Sequence, residues 1–292
     1  MRTPGPASGV HTHGMLLAAT GVLVLSFDSL LVRLADTGAW NVVFWRGALI
    51  AASMGAVALL RGGRGGLRLW GGGAALCAVL FGVDSVLFVL SVMHTKVANT
   101  VVILSASPLF AAVFSWLILR ERVRPRTWAA IAAAIAGVVI VFAGSTGRGQ
   151  LSGNGYALGA AVLAGANLNL LRRNAEFDRI PLVAASGLVT LAIALPFAHP
   201  LGLAGRSYAA LGAMGLLQMP LAMVLIAVCT RYLPAPELSL FLLLETVLAP
   251  VWIWLAVGER PPPLTFVGGA LVLGAIAVHS RLALREQRRA GG

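Results

Sequence analysis

The sequence predicts an all-α integral membrane protein of ten transmembrane helices, arranged as two inverted five-helix repeats. Three observations predict it. Of 292 residues, 59% are hydrophobic and only 11% charged, where a soluble domain carries about 25% charged residues. The apolar residues fall in long blocks joined by short polar links, a distribution that a water-soluble core does not need. The chain also matches itself at an offset of 138 residues.

Crossing the hydrocarbon core takes about 20 apolar residues at about 1.5 Å of rise each. Residues 1–13 (MRTPGPASGVHTH) are polar and rich in Pro and Gly, and read as a flexible tail. No small-residue cleavage site there leads into a polar mature domain. The first apolar run, 14–35, follows at once, and the second, 39–60, stops at Gly62-Gly63 and Gly65-Gly66. Runs three and four, 70–92 and 97–119, are followed by Pro125, and run five, 127–144, ends before Gly147. Runs six to nine occupy 154–171, 180–198, 207–230 and 235–257. Pro261-Pro262-Pro263 separates the ninth from the tenth, 265–284. No segment alternates with period two, as the strands of a β-barrel would.

The formal net charge of +12 is distributed as membrane topology requires. Of 22 Lys and Arg, Lys96, Arg148, Arg206 and Arg260 fall in one set of alternate loops, and Arg33 and Arg46 fall within helices. The other 16 lie in the tails and the opposite loops, which places both termini in the cytoplasm of a bacterial-type inner membrane. No basic run is interleaved with stacking aromatics, so nucleic acid is not an expected partner.

The internal repeat is densest over 113–127, where seven of fifteen positions are identical to their counterparts. They are Val113/Val251, Trp116/Trp254, Leu117/Leu255, Glu121/Glu259, Arg122/Arg260, Pro125/Pro263 and Thr127/Thr265. Unrelated apolar helices share Leu and Val, but rarely Trp, Glu-Arg, Pro and Thr in register. Five helices per half is an odd number, so the second copy is inverted across the membrane. The charges agree: ERVRPRT keeps the arginines of an inner loop, whereas ERPPPLT has lost two of the three. The organisation expected is a cytoplasmic tail (1–13), a first repeat (14–147), a second repeat (148–284) and a basic cytoplasmic tail (285–292). Inverted repeats are a common plan of secondary transporters, because two equivalent halves rock about a midplane site.

These residues resemble the drug/metabolite transporter superfamily, EamA branch. SPLFAAVFSWLILRERVRPRTWAAIAAAIAGVVIVFAG (107–144) is similar to the end of that family's first repeat, and LLLETVLAPVWIWLAVGERPPPLTFVGGALVLGAIAV (242–278) to the end of its second. The resemblance covers about 14 to 284 and implies a cavity between the halves and transport driven by a gradient, often of protons. Substrates in the family range over amino acids, nucleosides, cations and other metabolites, so it leaves the solute open.

An ionisable residue inside the bilayer marks a pathway or a partner. Asp28, Arg46 and Asp84 lie in the first three helices at similar depth, roughly 10–12 Å from the outer ends. They read either as a substrate or proton site or as a structural Asp–Arg lock, with one carboxylate left over. Glu245 lies deeper, near the middle of the ninth helix, and reads as a site residue or as a hydrogen-bonded packing residue. Gln218, followed by Pro220, sits near the midplane of the eighth helix; Asn167 and Asn169, two apart, cannot share one face of the sixth. Trp45 and Trp116 suit either a cavity wall or packing. Arg33 is expected to snorkel to headgroups. Asn99 and Glu237 suit helix N-caps, Glu121 and Glu259 suit structural turns, and His94 suits either a pH sensor or an ordinary loop position. Cys77 and Cys229 read as small buried hydrophobes.

The expected function is proton-coupled export of small polar metabolites, amino acids or their relatives, with a facilitator or a cation exporter as alternatives on the same fold. An integral-membrane enzyme would need clustered Asp or His at the cytoplasmic face for metal and phosphate. The inner loops carry arginine instead, and no metal-ligand spacing, P-loop or nucleophile elbow is present. No cofactor and no metal are expected; the expected partners are a small-molecule substrate, the lipid bilayer and protons. AAIAAAIAG (129–137) suits helix packing within one chain or between two, which leaves the oligomer open.

Overall fold

A computed structural model describes residues 8–62, 71–119, 125–144, 148–174, 178–229, 232 and 235–290. The described residues are overwhelmingly helical and contain no strand. In chain order the helices are α1 (Ser8–Ser26), α2 (Asp28–Leu34), α3 (Ala39–Gly62), α4 (Gly71–His94), α5 (Val97–Leu104), α6 (Ser107–Leu119) and α7 (Pro125–Ala143). The second half holds α8 (Arg148–Arg173), α9 (Arg179–Ala194), α10 (Gly205–Gly212), a π-helical turn (Ala213–Gln218), α11 (Met219–Cys229), α12 (Ala235–Val257) and α13 (Pro263–Ala290).

These helices make ten crossings. Three are composite: α1 with α2, α5 with α6, and α10 with the π-turn and α11. Five stretches meet a strict length and hydropathy requirement for a span: His13–Leu34, Ala39–Arg61, Gly71–His94, Val97–Leu117 and Gly205–Ile226. The apolar parts of α7, α9, α12 and α13 are shorter, and α8 is interrupted by polar residues. Helix ends outrun the apolar runs, α1 starting at Ser8 and α13 continuing to Ala290. Hydropathy marks the part of a helix that meets lipid, not the whole helix.

Two of the composite breaks follow from proline. Pro108 has no N–H and its ring clashes with the carbonyl four residues earlier, so α5 stops at Leu104 and a new helix starts at Ser107. Pro220 denies Leu216 its hydrogen bond, and the backbone absorbs the mismatch as the π-turn just before it.

The packing reflects the repeat. The second and seventh crossings, α3 and α9, meet at Gly47 and Gly187, where a Cβ on Gly47 would stand 2.8 Å from the Gly187 carbonyl and one on Gly187 2.8 Å from the Gly47 carbonyl. The fifth and tenth, α7 and α13, meet the same way at Gly137 and Gly268, with approaches of 2.7 and 2.5 Å. Any side chain there would hold the helices apart, which is why small residues occupy such crossings. The third crossing packs on the sixth (α4 on α8), and reciprocally the eighth packs on the first (α11 on α1). The fourth and ninth approach each other through α5 and α12. The helix pairings of one half thus recur in the other with the two halves exchanged, though not to the same extent.

Candidate functional site

The first crossing breaks at Phe27 without a proline or glycine. The break is held from outside. Gln218 Nε2 donates to the carbonyls of Val24 and Leu25 at 3.2 and 3.3 Å, occupying acceptors that a continuous helix would use. Trp252 of α12 stacks on Phe27 with ring centroids 4.8 Å apart, and its Nε1 donates to Ser26 Oγ at 2.9 Å. The consequence is that Asp28 opens the short helix α2 and turns into the bundle, where it is 4% exposed.

Asp28 meets Arg46 of α3 in a two-point ion pair, with Nη1 to Oδ1 at 2.6 Å and Nη2 to Oδ2 at 2.9 Å. The guanidinium is bound on its other edges too. Its Nε donates to Ser85 Oγ at 3.0 Å, its Nη1 approaches Met214 Sδ at 3.3 Å, and its carbon lies 5.4 Å from the centre of the Phe88 ring. Four crossings therefore converge on one arginine: α2, α3, α4 and the π-turn. Arg46 is 3% exposed, and a buried pair of this kind holds only when both partners are present and hydrogen-bonded.

Two further carboxylates stand beside this pair without a bond of their own. Asp84, next to Ser85, is close enough to feel the charge of Arg46, but its buried Oδ1 has no hydrogen-bond partner. Glu245 of α12 interacts electrostatically with both Asp28 and Arg46, and among the described residues no hydrogen bond to its side chain is formed. Asp28, Arg46, Asp84 and Glu245 thus form one cluster from four different crossings, with three acids and one base. Among the described residues no group of three or more His, Cys, Asp or Glu side chains is arranged to hold a metal ion.

The remaining candidates sit elsewhere. Gln218 is at the cluster's edge, its amide nitrogen spent on the α1 break and its buried Oε1 unpartnered. Asn169 donates to the Ala111 carbonyl at 2.6 Å and ties α8 to α6, with Oδ1 buried and unpartnered; Asn167 Oδ1 is likewise buried without a partner. Trp45 donates from Nε1 to the Pro200 carbonyl at 3.1 Å and packs edge-on against Tyr208, anchoring the α9–α10 loop. Trp116 points out of the bundle, 46% exposed and edge-on against Trp128, instead of lining an interior wall.

Two sequence expectations are corrected at the face that carries the α12–α13 turn. Arg33 does not snorkel to headgroups: its Nη2 donates to Glu259 Oε2 at 2.9 Å and to the Thr95 carbonyl at 2.8 Å. Glu259 Oε1 in turn accepts from the Val97 amide at 2.8 Å, so one acid neutralises Arg33 and caps α5. Asn99 does not cap α5 either. It is fully buried, accepts from Thr265 Oγ1 at 2.5 Å, and donates to Thr95 Oγ1 and Asn154 Oδ1, both at 3.3 Å. Thr95 Oγ1 completes the network by donating to Asn154 Oδ1 at 2.8 Å. The reason is burial: an amide inside a four-helix junction finds side-chain partners before it finds its own helix end. His94 is packed, its Nδ1 2.7 Å from the Leu90 carbonyl and its ring edge-on to Tyr156. The side chain of Glu237 and all of Glu121 lie outside the described residues.

Sequence reasoning missed Ser85, Met214 and Phe88 around Arg46, and Asn154, Thr95 and Thr265 around Asn99. The signal for Ser85 was its place beside Asp84. Met214 and Phe88 carried none, because apolar residues abound in every span.

Against known proteins, the description "EamA-like transporter family" matches residues 12–143 and again 151–281. A curated relative from Streptantibioticus cattleyicolor, named "Probable terminal-alkyne amino-acid exporter", is 31% identical over 211 residues, which are 68% of this chain and 69% of that protein. A solved crystal structure 20% identical in sequence shares the fold, with a TM-score of 0.65 over 94% of this chain and 98% of its own.

Proposed function

The chain belongs to the EamA-like transporter family, and from that premise we propose that it exports small zwitterionic or cationic metabolites, amino acids or close relatives, in exchange for protons. Its place is the inner membrane, with both termini in the cytoplasm and the α12–α13 turn outside, as the arginine distribution favours. One observation carries the reading: Asp84 and Glu245 lie beside a saturated Arg46–Asp28 pair, and among the described residues neither has a hydrogen bond or ion pair of its own. A membrane interior does not leave such acids without a counter-charge. A proton supplies it in one half of the cycle, and the ammonium of an amino acid or an amine supplies it in the other. Binding of the solute then displaces a proton, which is the coupling step.

Arg46 gives the second point of recognition. Its guanidinium holds Asp28 at two points, and the carboxylate of a zwitterion competes for the same donors. The name of the Streptantibioticus cattleyicolor relative favours an amino-acid solute. The Arg33–Glu259 pair and the Asn99 network close the α12–α13 face, and exchange requires them to part when the solute leaves.

The test is purified protein in liposomes loaded with a pH-sensitive dye under an imposed proton gradient. Pools of amino acids, amines, nucleosides and sugars are added in turn. The expected result is collapse of the gradient with amino acids, or with amines, and its loss in Glu245→Gln. Folded protein that moves labelled amino acids down their own gradient without moving protons is a facilitator, and the coupling part of the proposal is then wrong.

A further inference from the structure

α12 and α13 share α5 as a neighbour but otherwise leave their common turn in different company: α12 packs mainly against α1, and α13 mainly against α7. A groove of ≈ 510 Å³ opens between them, floored by Ala98 and Val102 of α5 and walled by Val247, Trp254, Phe266 and Leu273. Its rim faces out of the bundle, with Val247 53%, Trp254 52% and Phe266 64% exposed. The walls are hydrocarbon except at one end. Thr265 has spent its hydroxyl on Asn99, and Thr246 is buried.

Arg260 stands at that end. It is exposed and forms no hydrogen bond or ion pair among the described residues, and the adjacent acid, Glu259, is occupied by Arg33 and the Val97 amide. From the start of α13 at Pro263 to Leu273 the wall runs ten residues, about 15 Å of helix, which is about half of a 30 Å hydrocarbon core. The groove is thus about as long as one leaflet is deep, with a cation at one end that is unpaired among the described residues.

We propose that this groove is a binding site for one anionic phospholipid, with an acyl chain lying between α12 and α13 and the headgroup phosphate held by Arg260. The match is of length, polarity and charge together. A soluble phosphate has no use for the apolar wall, and a neutral lipid leaves the charge of Arg260 uncompensated. The inference does not depend on which solute is carried or on proton coupling.

The full-length protein in detergent micelles would be titrated with phosphatidylglycerol or phosphatidylcholine and the retained lipid counted by native mass spectrometry. A phosphatidylglycerol bearing a diazirine on one acyl chain would then be photolysed and its attachment mapped. The wild type is expected to retain phosphatidylglycerol preferentially and to be labelled within 98–102, 247–254 and 264–273. Arg260→Gln should hold that lipid about fivefold more weakly, with the preference over phosphatidylcholine gone. Val247→Trp, at an exposed wall position, should reduce retention of both lipids. Arg206→Gln, an arginine already paired with Asp36, should change nothing and controls for general charge. Equal retention of the two lipids by the wild type, unchanged retention in a folded Arg260→Gln, or label spread evenly over all lipid-facing helices would overturn the proposal.

Discussion

The polar groups of this bundle fall into two regions that differ in one respect. At the α12–α13 face, Arg33, Glu259, Thr95, Asn99, Asn154 and Thr265 bond one another across several helices. In the middle of the bundle, Arg46 and Asp28 are saturated while Asp84 and Glu245 next to them have no hydrogen bond among the described residues. Burial of polar groups is common to both, so burial alone does not mark a site. The carboxylates differ: Glu259 is bonded at both oxygens, with Arg33 Nε alone left unpartnered beside it, whereas Asp84 and Glu245 have no hydrogen bond among the described residues, which is the feature our proposal rests on.

The comparison breaks most easily at Arg46. Asp28→Asn strands a buried guanidinium, and loss of one partner from such a pair costs about 3–5 kcal/mol, to be seen as a large fall in thermal stability in detergent. Glu245→Gln should leave stability untouched and reduce proton-linked flux by roughly two orders of magnitude, a barrier change of about 2.7 kcal/mol, measured in the dye-loaded liposomes. If Glu245→Gln instead unfolds the protein, Glu245 is a packing residue and the two regions are alike. Glu259→Gln removes one ion pair and weakens the α5 cap, worth about 1–2 kcal/mol together. The α12–α13 face should then admit a thiol reagent to a cysteine placed at Val97 faster than in the parent. Asp36→Asn is the smallest effect. Its pair with Arg206 is mostly solvent-exposed, and the expected change is within about 0.5 kcal/mol, below what a thermal melt resolves.

The ten crossings were legible because hydropathy is local: each run of apolar residues announces its own helix. The approach of α7 to α13 and of α3 to α9 was not, since glycines in a span do not name their partner. Asp28, Arg46 and Asp84 could be grouped from sequence because depth is readable by counting from helix ends. Glu245 stood out as a lone acid deep in a span, but its nearness to Arg46 depends on how α12 leans on α2. The errors at Arg33 and Asn99 share a cause. Their partners, Glu259 and Thr265, lie 226 and 166 residues away in the other repeat, and a sequence read one helix at a time assigns such residues to lipid or to their own helix end. The Phe27 break was hidden for the same reason, because Gln218 and Trp252 impose it from two other crossings.

The central claim, that Asp84 and Glu245 hold protons which a solute displaces, is tested most directly by proton release on binding. Purified protein in weakly buffered detergent solution would be mixed with the amino-acid or amine pool active in liposomes, while a pH dye and calorimetric heat are followed together. The account predicts release of protons in step with the heat of binding, reduced in Asp84→Asn and in Glu245→Gln while folding is retained. Heat of binding with no proton release in the wild type, or release unchanged in both variants, would contradict it.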